Sequence, residues 1–134
     1  VLQVARGDVP SDRAVLSQYH AAGSASGGYM IRRNNWKYCY YVGMSPQLFD
    51  LTNDPQELND LAADSRYRSV LDELAEELHA RLDPEAVDKQ ARRDQHKLIE
   101  RHGGRQAVLD RGTFGPTPPP GVEVKYTGNL SPQT

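Results

Sequence analysis

Side chains capable of chemistry gather in two places along the chain. Residues 48–62 read LFDLTNDPQELNDLA and bring Asp50, Asn53, Asp54, Glu57 and Asp60 into one short stretch. A calcium loop of EF-hand type uses oxygen ligands at alternate positions, but it also needs a central glycine and a bidentate glutamate at its end. The stretch has no glycine, and Pro55 stiffens its middle. A structural reading accounts for more of the residues. Asp54 is expected as a helix N-cap, Pro55 as the first helical residue, and Glu57 as the side chain reaching back to the cap. Leu48, Phe49 and Leu51 then anchor a strand before the corner, and Leu58 and Leu61 a turn after it.

The second place is His20, which ends an expected strand and precedes the small-residue stretch AAGSASGG. From there an imidazole could reach a cleft, and a surface-loop histidine fits the same residues. The stretch lacks the Gly-Lys-Ser/Thr ending of a phosphate-binding loop. Ser17, Ser24 and Ser26 lie near His20 in sequence, but no Gly-x-Ser-x-Gly elbow is present to make a nucleophile. His79, His96 and His102 show no zinc-ligand spacing and are expected on solvated helix faces. Cys39 alternates inside a strand pattern, as a small apolar filler does. Tyr38, Tyr40 and Tyr41 could stack bases, yet no basic groove accompanies them.

These residues have to be carried by secondary structure. Alternation suggests a first strand near residues 14–19. YMIRRNNWKYCYY predicts a hairpin turning at Asn34-Asn35, with Tyr29 facing Tyr40, Ile31 facing Tyr38, and Arg33 facing Trp36. Residues 47–51 supply a further strand. Tyr67, Val70, Leu71, Leu74, Leu78 and Leu82 recur at helical spacing and predict an amphipathic helix over 65–82. Asp83-Pro84 opens a second helix to about His102, closed by Gly103-Gly104, and a third runs over 105–111 to Gly112. The expected fold class is α+β: a small antiparallel sheet of about four strands with a packed amphipathic helix, further C-terminal helices and an extended Pro-rich tail. The expected division is 1–112 for this subdomain and 113–134 for the tail, where GPTPPPG favours polyproline II.

Composition narrows the function classes. The chain has 134 residues, a formal charge of -2 and a mean hydropathy of -0.71, with 37% apolar residues. That balance offers no broad field for nucleic acid or an anionic membrane, and no run approaches the roughly 20 apolar residues of a membrane span. One cysteine excludes a disulfide framework and favours cytoplasmic over periplasmic placement. The first residues carry neither an initiator Met nor a signal pattern, so the chain is expected to begin inside a longer protein, incomplete at its N-terminal side. Its Arg- and Ala-rich character suggests a bacterial source.

The order of motifs resembles the C-terminal part of a sulfatase, in the alkaline-phosphatase superfamily. The residues that carry the resemblance are Arg6-Gly7, the stretch Arg13-Ala14-Val15-Leu16-Ser17-Gln18-Tyr19-His20, Tyr29-Met30-Ile31-Arg32-Arg33 with Trp36-Lys37-Tyr38, and above all LFDLTNDPQELNDLA. Asp60 stands where that family commonly has Asn. Tyr19-His20-Ala21-Ala22-Gly23 and Arg111-Gly112-Thr113-Phe114-Gly115 are similar to the choline-sulfatase and arylsulfatase-like branch.

The resemblance implies a parent that cleaves sulfate esters with a formylglycine nucleophile and calcium or another divalent cation. Both would lie in an N-terminal catalytic domain on which this piece docks. A Cys/Ser-x-Pro-x-Arg motif is absent, so no nucleophile, cofactor or metal ligand is assigned to this chain. His20 is the one residue expected near a small-molecule sulfate ester at the mouth of that domain. Two alternatives stand beside this reading. One is a non-catalytic interaction or oligomerisation module, with homo-oligomers forming through the tail. The other is the same piece of a phosphonate or phosphate ester hydrolase.

Overall fold

The computed structural model describes residues 13–20, 24–114 and 126–127. Four strands form one antiparallel sheet in sequence order: β1 (Val15–Tyr19), β2 (Gly28–Arg33), β3 (Trp36–Tyr41) and β4 (Gln47–Asp50). The β2–β3 hairpin has the expected register, with Tyr29 opposite Tyr40, Ile31 opposite Tyr38 and Arg33 opposite Trp36. Its turn fits the residue types, since Asn34 takes the positive φ of 54° that asparagine tolerates better than most residues.

Alternation along the strands separates two faces. Leu16, Ile31, Tyr38 and Leu48 lie opposite one another across the four strands. Their face meets a helix, α1 (Arg68–Arg81), entered through a 3₁₀ turn at Ser65–Tyr67. The Leu71, Leu74 and Leu78 side chains of α1 join Ala14, Tyr29, Ile31, Tyr38 and Leu48 in one core. Burial of each such leucine contributes about 1.5–3 kcal/mol, so this seam is the main source of cohesion. The Trp36 and Tyr67 rings close one end of it at 5.6 Å.

The corner departs from expectation. Residues 51–64 form turns rather than a capped helix, and the helical segment begins only at Ser65 with Asp64 as its cap. Glu57 has a φ of 58° and cannot sit in a right-handed first turn. Its carboxylate reaches Lys37 on β3 at 2.5 Å instead of returning to Asp54. The Asp54 carboxylate accepts the amide of Asn59 at 2.7 Å, two residues beyond the farthest amide an N-cap would bind. A tertiary ion pair and a wider turn have displaced the capping box.

Helix α2 (Pro84–Arg101) starts as expected: Asp83 Oδ1 caps the Ala86 amide at 3.0 Å and Pro84 is the first helical residue. Helix α3 (Gly104–Arg111) follows Gly103 (φ 92°) and ends at Gly112 (φ 77°). The chain forms two compact units, residues 1–90 and 91–134. The first holds the sheet, α1 and the opening turns of α2. The second holds the remainder of α2, α3, and a short antiparallel pair, β5 (Thr113–Phe114) with β6 (Tyr126–Thr127). The polyproline II reading of GPTPPPG falls on residues outside those described.

Candidate functional site

The acidic corner is built for architecture. Asp50 accepts Asn35 Nδ2 at 2.8 Å, the Thr52 amide at 3.0 Å and Asn53 Nδ2 at 2.7 Å. These donors, Asn35 foremost, hold its carboxyl below the usual aspartate range. Asp54 is lowered mainly by the Asn59 and Leu58 amides, and Asp64 mainly by the Arg66 guanidinium. Asp60 Oδ1 accepts the amides of Leu48 and Ala62, each at 3.0 Å. The carboxylates therefore spend their lone pairs on local donors. Among the described residues no three His, Cys, Asp or Glu side chains group as a metal site.

The remaining candidates scatter. His79 is exposed, its ring 6.1 Å from that of Tyr40. In the second unit His96 pairs with Glu100 at 3.2 Å, and His102 Nδ1 lies 3.3 Å from Arg111 Nη1. Ser24 donates to the Ser26 carbonyl. Cys39 is 7% exposed, and burial pushes its thiol up, away from a reactive thiolate.

His20 is placed differently from a loop-tip histidine. It is half-buried, with Nε2 shielded from solvent, and its ring meets Tyr29 edge-on at 5.4 Å. Tyr29 Oη donates to the Pro84 carbonyl at 3.0 Å, and Asp88 of α2 accepts the Gly27 amide at 2.6 Å. The structure thus brings His20 together with Gly27, Tyr29 and the first turns of α2. Sequence reasoning missed Asp88. The signal available was an acid four residues after Pro84, on the face that the proline buries.

The other face of the sheet holds a shallow cavity of about 280 Å³, walled by Tyr19 and Tyr41 and floored by Gly28, Met30 and Cys39. Tyr19, Gly28 and Tyr41 lie in one row across β1, β2 and β3. Tyr19 is 57% and Val15 48% exposed on this face. Toward β4 the corner folds over, through Lys37 and Glu57, and Phe49 is buried there. The β1–β2 half is left open by the described residues.

No family model matches the chain. Human arylsulfatase K is 36% identical over 69 residues, 49% of this chain and 12% of that protein. Chicken arylsulfatase K is 45% identical over 60 residues, 42% of this chain and 11% of that protein. The crystal structure of a candidate sulfatase from Bacteroides thetaiotaomicron superposes with a TM-score of 0.50 and 29% identity, over 58% of this chain and 18% of that one. The chain is similar to part of these sulfatases, and it spans 12% of the length of the human relative it matches.

Proposed function

We propose that this chain serves a sulfate-ester hydrolase as the piece that docks on its catalytic part through the open face of the sheet. The observation that carries the reading is the match to arylsulfatase K, which leaves most of that protein's length outside the aligned segment. The exposed Val15, Tyr19 and Tyr41 side chains on one face of a lean domain support it, since grouped apolar exposure marks an interaction surface. The partner in this reading is the remainder of the same parent, since the match covers only 12% of the human relative, and the docking face is the one that α1 does not fill.

Formylglycine and calcium, or another divalent cation, belong in this reading to the catalytic part. The residues here do not fit a metal: the corner carboxylates are engaged by amides and by Asn side chains, and Cys39 is followed by Tyr40-Tyr41-Val42 rather than by x-Pro-x-Arg. Membership of the choline-sulfatase or arylsulfatase-like branch is part of the proposal, as is cytoplasmic placement, which rests on the single cysteine. Bacterial origin rests on composition, the relatives named above being vertebrate arylsulfatases and a Bacteroides protein. A role for His20 near the ester would be exerted from a half-buried ring.

Sequencing the reading frame upstream of Val1 tests this reading. A continuous frame encoding Cys/Ser-x-Pro-x-Arg, and a full-length product that hydrolyses an aryl sulfate, are expected. A full-length product active only on phosphate or phosphonate esters would move the chain to that branch. A frame without the motif would overturn the reading in favour of an interaction module. In the active parent, His20→Ala should lower turnover with little change in folding, and unchanged kinetics would remove His20 from the site.

A further inference from the structure

Asp88 is a buried acid, 8% exposed, on a helix whose other described acids are mostly solvated. Its Oδ1 takes the Gly27 amide, a charge-assisted bond made away from water. His20 closes on the same glycine. A methyl group placed on Gly27 would come within 2.7 Å of His20 Cε1, 3.1 Å of His20 Nδ1 and 3.2 Å of Asp88 Oδ1. Gly27 is therefore gripped between a strand-end imidazole and a helix carboxylate, with no room for a side chain.

The next residue belongs to the opposite face. The Tyr41 ring covers Gly28, with Cδ1 and Cε1 each 3.2 Å from where a Cβ would stand. Two successive glycines have the widest backbone freedom a chain offers. On the sheet side the Gly27 carbonyl accepts the Val42 amide at 3.1 Å. On the helix side its amide is held by Asp88. Loss of that second hold would let the start of β2 shift, and with it the floor of the tyrosine-walled cavity.

We propose that Asp88 is a positioning residue: by holding Gly27 from the helix side, it fixes the Tyr19–Gly28–Tyr41 groove of the docking face. The inference deepens the docking reading and rests on it for its biological meaning. Its geometry can be tested in this chain alone, so failure of docking and failure of positioning read out separately.

The experiment is solution NMR on the 134-residue chain. Protons over the face of an aromatic ring resonate upfield, so the Gly28 Hα signals report directly on the Tyr41 contact. In the unsubstituted chain they should be shifted upfield and the Gly27 amide should exchange slowly. Asp88→Ala should speed Gly27 exchange about tenfold or more and move the Gly28 Hα signals toward unstructured values. The Ile31 and Leu74 methyl signals should stay in place. Asp88→Asn, which keeps an acceptor oxygen, should retain the Gly28 signature. A folded Asp88→Ala chain with unchanged Gly28 signals would overturn the proposal. Should that variant not fold, the unsubstituted chain decides: unshifted Gly28 protons or a fast Gly27 amide would overturn it equally.

Discussion

Asp60 holds Leu48 by its backbone: the carboxylate accepts the Leu48 amide at 3.0 Å, and the neighbouring Leu61 amide donates to the Leu48 carbonyl at 2.8 Å. Leu48 is fully buried, so its amide has no access to water in exchange. Asp60→Ala should lower stability by about 1–3 kcal/mol, the usual cost of orphaning a buried donor. Asp60→Asn keeps the acceptor oxygen and should retain most of the stability. Urea midpoints of the two variants check this, and equal losses would mean the carboxylate charge matters more than the hydrogen bond.

Acid should loosen the corner. Asp50, Asp54 and Asp64 all have folded-state values below the ordinary aspartate range, for the hydrogen-bonding reasons given above. A lowered carboxyl stabilises the fold fully above its unfolded value, near ~3.9. That contribution is lost as pH falls through the lower folded value. Unfolding midpoints should therefore drop below about pH 4, and Asp50→Asn should flatten the acid limb. An acid limb unchanged by the substitution would separate Asp50 from the effect.

Alkali acts elsewhere. The Tyr40 hydroxyl donates to Glu85 Oε1, and this bond, with burial and the same negative charge, pushes its pKa up to about 12. The contribution of a raised tyrosine is complete below its unfolded value, near ~10, and is lost as pH rises through the folded one. Burial also raises Tyr29 and Tyr38, so absorbance at the tyrosinate band should show a group of late-titrating phenols that is smaller by one in Tyr40→Phe. A titration identical in both chains would break the assignment.

Leu74 lies at the centre of the helix–sheet seam and is 1% exposed. Leu74→Ala should cost roughly 2–5 kcal/mol, from lost transfer energy and the cavity left behind. A loss much smaller than this, measured by denaturant unfolding, would mean that the core collapses around the site.

Much of this arrangement was legible in the order of residues. The β2–β3 register followed from paired alternation around Asn34-Asn35, and α1 from its apolar stripe, because both patterns are local and tied to a fixed period. The corner was misread at Asp54 and Glu57. Asp-Pro-x-Glu satisfies a capping box on paper, but Lys37 draws Glu57 away and Asp54 finds amides farther along. The surroundings of His20 were not legible at all. Its neighbour Asp88 lies in a helix far along the chain, and only the fold makes them meet.

The sheet has two unlike ends. Along β4 the outer edge is engaged by Asp60 and Leu61, whose bonds to Leu48 occupy the groups an added strand would use. Along β1 no described strand lies beyond Val15–Tyr19. An open edge is a template for another chain. At β4 that template is already spent on Asp60 and Leu61, so this end of the sheet carries its own terminator.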